Sequence, residues 1–189
     1  MHRAIQIIED EHRNVEAALF SLQALVREVG GANATRDFKV FHGILTYIDS
    51  FLDFYHHPKE NIYLFPALCE RYPKAEKLVH ELKDQHREGA NLLNRIYKAL
   101  SRYEFQGPKA FGAFLDATET YVTFERDHAA KEERELLPLV REHLTEQDWR
   151  PIDAAFSDHE DPLFGDTPRA EYQLLLHRIM SMTPPPHGA

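Results

Sequence analysis

Two stretches of the sequence carry histidine and glutamate at a spacing suited to holding a metal ion. His56-His57-Pro58-Lys59-Glu60-Asn61-Ile62-Tyr63-Leu64-Phe65-Pro66 aligns without gaps on His128-Ala129-Ala130-Lys131-Glu132-Glu133-Arg134-Glu135-Leu136-Leu137-Pro138. Both read H-x-x-K-E-x-x-x-L-[FL]-P, 72 residues apart. On a helix, residues i and i+4 share one face about a turn apart, so His56/Glu60 and His128/Glu132 each form a two-toothed ligand. Upstream, Asp10-Glu11-His12-Arg13 echoes Asp84-Gln85-His86-Arg87 at a separation of 74 residues, adding one histidine to each copy. Neutral imidazoles with carboxylates suit divalent first-row metals, and a carboxylate can bridge two ions. The two carboxylates with an oxo or hydroxo bridge can balance the charge that four imidazoles cannot. Six side chains are too few to saturate two six-coordinate ions, so open positions remain for a small molecule.

Helices must position these groups. Ile5, Ile8, His12, Val15, Leu19, Leu22 and Val26 fall at steps of three and four, which predicts an amphipathic helix over 2–29. Gly30 to Ala34 breaks it, and Thr35 is placed to cap a second helix that Pro66 is expected to end at about 65. A connection through Arg71-Tyr72-Pro73 leads to a third helix, about 74–105. Gly107-Pro108 is the next turn, and a fourth helix follows over about 109–143. Sustained alternation and hairpin turns are absent, so the expected fold is all-α, an up-down-up-down four-helix bundle made of two copies of a helical hairpin.

The turns supply an independent test of the ligand set. With turn centres near Ala34, Arg71 and Gly107, His12 and His56 lie 22 residues either side of the first, His56 and His86 lie 15 either side of the second, and His86 and His128 lie 21 either side of the third. Equal distance from a turn means equal height in antiparallel helices of equal rise. Four histidines on four helices are therefore expected at one level.

The bundle is assigned to residues 1–143, and residues 144–189 form an extension. There Thr145-Glu146-Gln147-Asp148 starts a short helix that Trp149, Ile152 and Phe156 can dock. A loop at Asp161-Pro162-Leu163-Phe164-Gly165, a last helix over Ala170 to Met182 and a frayed Pro-rich tail complete it.

Composition narrows the function. A formal charge of -9 argues against a nucleic-acid partner. The single cysteine, Cys69, excludes an intramolecular disulfide and any Cys-rich metal site. No run of about 18 apolar residues spans a membrane, and the N-terminal stretch lacks a signal-peptide core, so a cytoplasmic location is expected. Nothing in the sequence fixes the assembly as monomer or homodimer.

At His12, His56, Glu60, His86, His128 and Glu132 the sequence resembles the hemerythrin-like, HHE cation-binding family, over about residues 5–140. The tail is similar to that of bacterial stand-alone members. The resemblance implies a di-iron centre on those six residues, with Glu60 and Glu132 bridging. Manganese or zinc are possible substitutes for iron. It also implies O₂ or NO as the small-molecule ligand, or a role in sensing or repair of iron centres. The oxygen carriers of the family have H-x-x-x-H on the third helix, whereas His86 is followed four residues later by Ala90. They also have an aspartate one residue beyond the position of Glu132. Sensing or repair therefore leads over bulk oxygen transport.

Several residues beside the motif carry a weaker signal. His57 neighbours His56, but its counterpart is Ala129; Glu16 lies four after His12, but its counterpart is Ala90. Both are read as additional or outer-sphere groups. Pro58 is expected to kink the second helix beside the site. Tyr121 and Phe124 precede His128 by seven and four residues and are candidates for a pocket wall, with plain core the competing reading. His2, His42, His80, His143, His159, His177 and His187 are expected on the surface. Nothing supplies an organic-substrate pocket, so ligand binding, sensing or iron handling leads. A di-iron oxidase or peroxidase, or an adapter bundle with a structural metal, are the alternatives.

Overall fold

The computed structural model describes residues 2–30, 37–158, 161–165 and 177. Helix α1 is Arg3–Val29. Helix α2 covers 38–71, beginning where Asp37 accepts a hydrogen bond from the backbone N–H of Lys39 at 3.2 Å. A 3-10 turn, Pro73–Ala75, leads into α3, Glu76–Gln106. Gly107 stops α3 at φ 71°, a conformation open to glycine, and a second 3-10 turn starts α4 over 111–143. Helix α5 is Glu146–Ser157. No strand occurs among the described residues. The break after Gly30, the Thr35 cap, and all of the expected Ala170 to Met182 helix and tail except His177 lie outside the described residues.

The second helix does not end at Pro66; it continues to Arg71. Helix α2 contains two π turns, Leu52–His56 and Glu60–Leu64, and α4 contains one, Glu132–Leu136. After each turn the next residue bonds five back: His57 to Leu52, Phe65 to Glu60 and Leu137 to Glu132. A proline follows at once in all three cases, as Pro58, Pro66 and Pro138. In a regular helix a proline ring strikes the carbonyl four residues back; one extra residue in the preceding turn moves that carbonyl aside, so the helix runs on.

Helix α1 lies beside α2, α4 and α5, and α3 lies beside α2 and α4. The apolar stripes close into two separate cores. One holds Leu19, Leu22, Phe41, Ile48, Phe51, Ile96, Tyr103 and Phe114 near the α1–α2 and α3–α4 ends. The other holds Ile5, Ile8, Phe65, Leu82, Leu137, Trp149, Ile152 and Phe156 at the opposite end. Trp149, Ile152 and Phe156 of α5 are fully covered, which stabilises its docking by roughly 1.5–3 kcal/mol for each side chain. Arg71 adds a two-pronged pair to Asp148, at 2.8 Å for both contacts. The loop after α5 returns to the bundle: Asp161 accepts from Tyr47 at 2.8 Å and Asn14 at 3.1 Å, and Leu163 is buried. Between the two apolar cores lies a layer of buried polar side chains.

Candidate metal centre

The layer gathers His12 from α1, His56, His57 and Glu60 from α2, His86 from α3, and His128 and Glu132 from α4, all buried. Ring centroids stand 5.0 Å apart for His12 and His56, 4.9 Å for His86 and His128, and 3.8 Å for the stacked pair His57 and His86. The four histidines expected at one height do meet. Donor atoms fall into two groups within reach of one ion each: His12, His56, Glu60 and Glu132 in one, His57, His86 and His128 in the other. The carboxylates lie between the groups. Glu132 turns Oε2 to His12 at 3.2 Å and Oε1 to His128 at 3.4 Å; Glu60 Oε2 lies 3.8 Å from His56 and 3.4 Å from His86.

Each of the four motif imidazoles is held from behind. Nδ1 of His56 donates to Glu11 at 2.8 Å, Nδ1 of His12 to Glu133 at 3.0 Å, and Nδ1 of His128 to Gln85 at 3.0 Å. The Asn61 amide nitrogen lies 3.1 Å from Nδ1 of His86; turned over, so that its oxygen faces the ring, the carboxamide sets the same tautomer. Proton on Nδ1 leaves Nε2 bare and aimed inward, the arrangement a metal requires of an imidazole.

The inward atoms test whether a metal fits. Among the described residues, the buried side-chain polar atoms with no hydrogen-bond partner are Nε2 of His12, His57, His86 and His128 and both oxygens of Glu60 and Glu132. All of them belong to this one layer. An orphaned buried polar atom costs about 1–3 kcal/mol, so eight together are tolerable only where a cation answers them. Protons answer part of that need in the protein alone. Burial opposes charge on His12, but Glu132 and Glu133 overrule it and raise its pKa to about 10; His86 is likewise raised to about 9, against burial, by Glu132 and Glu60. Burial and the imidazoles of His86, His56 and His128 push His57 well below its ordinary value. Burial would raise Glu132, yet His128, His12 and His86 hold it well below the carboxylate range. Two carboxylates and five imidazoles, with their inward nitrogens and oxygens gathered in two groups, fit a cation.

The family model of the hemerythrin HHE cation binding domain matches residues 3–140, a stretch that takes in every side chain of this layer. The chain belongs to that family. It is also 26% identical over 132 residues to three mycobacterial proteins carrying the name "uncharacterized protein": Mb2018 of Mycobacterium bovis, and MT2051 and Rv1995 of Mycobacterium tuberculosis. The similarity covers 70% of this chain and 50% of each relative, so the chain matches about half the length of those proteins. Membership of a cation-binding family and the convergence of donor atoms agree. No helix among the described residues is long and apolar enough to cross a membrane.

Two small cavities adjoin the layer. One, of about 30 Å³, is lined by His12, Val15, Leu19, Leu52 and His128 among others; the second, of about 10 Å³, lies between α2, α3 and α4 beside His57, His86 and Ala90. Glu125 borders both, fully buried, and burial lifts its carboxyl to about 7. Tyr121 partners it and also lines the second cavity. A Cβ at Gly89 would lie 2.6 Å from Glu125 Oε1, so the glycine makes the room for this acid.

Sequence reasoning missed Glu125, although its place three residues before His128 and seven before Glu132 puts it on the inward stripe of α4. His57, read from the sequence as peripheral, stands inside the layer. The Leu52–His56 π turn is the reason: the extra residue rotates the chain so that two consecutive histidines face inward. Glu16 pairs with Arg126 at 2.7 and 2.8 Å, and both line the larger cavity without facing an imidazole. Tyr121 is both core and cavity wall, while Phe124 packs on the core. Of the histidines expected at the surface, His80 and His177 are exposed and His42 pairs with Glu104; His2 and His143 stack on Trp149 and Tyr72. His159 and His187 lie outside the described residues.

Proposed function

We propose that this protein is a non-haem di-iron protein that binds or senses a small diatomic ligand, O₂ or NO, or handles iron for sensing or repair of iron centres. The observation that carries the reading is the meeting of eight partnerless donor atoms beside a cavity of about 30 Å³. A water-sized molecule needs roughly 10–15 Å³ on the same measure, so the space suits a diatomic molecule and not an organic substrate. His12, His56, Glu60 and Glu132 would hold one ion and His57, His86 and His128 the other, with the glutamates shared between them. When bound, iron would supply an open coordination position and a reversible change of oxidation state. The chain's own contribution is orientation and exclusion. Backing groups on Nδ1 fix the imidazoles, Val15, Leu19 and Leu52 supply the apolar part of the cavity wall, and both ends of the layer are sealed by apolar cores.

The test is metal analysis of the purified protein with optical spectra taken without oxygen, after air and after NO. Two irons per chain and a visible band that changes with O₂ or NO support the reading. Iron-free protein that accepts none on reconstitution contradicts it; two bound irons with spectra indifferent to both gases contradict ligand binding and leave the iron-handling role. A second reading, a peroxidase-type enzyme, is favoured by Glu125, a buried carboxyl near neutrality at both cavities, positioned to give or take a proton. Sustained consumption of hydrogen peroxide by the iron-loaded protein with an added two-electron donor, which is oxidised in equal amount, and its loss in Glu125→Gln with iron retained, distinguish it.

A further inference from the structure

We infer that the two metal positions are unequal, the His12/His56 position filling first and the His57/His86/His128 position holding a weaker, exchangeable ion. The inference rests on the two-ion reading above and adds which residues set the order. The four backing groups occupy matching places in the two copies of the repeat, but their chemistry differs. Glu11 behind His56 corresponds to Gln85 behind His128, and Glu133 behind His12 corresponds to Asn61 beside His86. One pair of imidazoles is therefore backed by carboxylates and the other by carboxamides.

A carboxylate accepting from Nδ1–H strengthens Nε2 as a donor and adds negative charge near the ion; a carboxamide orients the ring and adds no charge. Glu11 is the stronger lever. It is only 5% exposed, and Lys59 Nζ holds its second oxygen at 3.3 Å; the ammonium offsets part of its charge but fixes its angle to His56. The Glu133 side chain is 49% exposed, and water screens its contribution. With Glu60 and Glu132 shared between the positions, the two donor sets differ by one imidazole, His57, in the second. His57 partly compensates for the poorer second position by adding a third imidazole, but it brings no charge.

The experiment is equilibrium titration of the full-length, metal-stripped protein with Co²⁺, read from its visible absorption, for the wild type and for Glu11→Gln, Glu133→Gln and Gln85→Glu. Two resolved steps, at least about tenfold apart, are expected in the wild type. Glu11→Gln should weaken the first step by roughly 10–100-fold while moving the second by less than about threefold. Glu133→Gln should act in the same direction but less, and Gln85→Glu should tighten the second step, an outcome that loss of folding cannot mimic. Two ions bound with equal affinity, or a Glu11→Gln variant that weakens both steps alike, overturns the inference and leaves the two-ion reading intact. Saturation at one ion per wild-type chain overturns that reading, and the inference with it.

Discussion

Helices α2 and α4 carry the same motif and end alike but enter it differently. In α4 a single π turn follows Glu132, and one histidine faces the layer. In α2 an additional π turn precedes the motif's Lys-Glu pair, and two adjacent histidines, His56 and His57, face it. Where α4 has Ala130, α2 has Pro58, the residue that follows this additional turn. One extra residue of backbone thus adds an inward imidazole to one half of a duplicated site. Duplication made the site nearly symmetric; local helix geometry and the choice of acid or amide behind each imidazole made it unequal.

Variants can break or sharpen that contrast. The largest effect is expected from Glu132→Ala, because the oxygens of Glu132 face imidazoles of both halves. Elemental analysis should find most of both ions gone, whereas Glu16→Ala, which removes only a surface pair with Arg126, should leave the metal content unchanged. Equal retention in the two variants would refute the shared role of Glu132. His57→Ala should act on one half alone, weakening the second ion by about 10–100-fold while the first stays bound. Loss of both ions together would mean that the two helices do not differ in the manner described. A smaller effect is expected at Gly89→Ala, where the added methyl meets the Glu125 carboxyl at 2.6 Å. Alanine gains roughly 1 kcal/mol over glycine inside a helix, so Gly89→Ala should stabilise a Glu125→Ala background by about that amount in urea unfolding and should help the wild type less or harm it. An equal effect of Gly89→Ala in both backgrounds would show that Glu125 does not press against α3.

Much of this arrangement was legible in the sequence. The gapless repeat and the equal distances from the turns bring His12, His56, His86 and His128 to one layer, and i,i+4 spacing brings Glu60 and Glu132 with them. Apolar periodicity located the first helix, glycine and proline breaks located the other three long ones, and Trp149, Ile152 and Phe156 marked the docking face of α5. What stayed hidden depends on departures from 3.6 residues per turn. Regular geometry turns His57 aside from His56 and makes Pro66 a helix end; π turns reverse both outcomes. The three prolines that each follow a π turn were the available signal, and Pro58 was read as a kink. Glu125 was missed for a different reason: its spacing from His128 and Glu132 marks the inward stripe of α4, but the room for a buried acid there comes from across the interface, at Gly89.

The central claim, that a metal holds this buried polar layer together, is tested most directly by thermal melts with and without a chelator at pH 7.5 and pH 5. A ligand that binds only the folded state adds about 4 kcal/mol at a thousandfold excess over its dissociation constant. For a chain of this size that corresponds to a difference in melting temperature on the order of 10 °C. Protons set how the difference varies with pH. His12 and His86, raised to about 10 and about 9 in the metal-free protein, stabilise it fully below their unfolded value of 6.5 and lose that contribution as pH rises through their folded values. Metal binding needs both imidazoles neutral, so it strengthens over the same range and weakens as pH falls. The metal-loaded protein should therefore melt well above the chelated one at pH 7.5, and the two should converge at pH 5. Identical melts at pH 7.5, in a sample proven free of metal by elemental analysis, would contradict a metal centre in this layer.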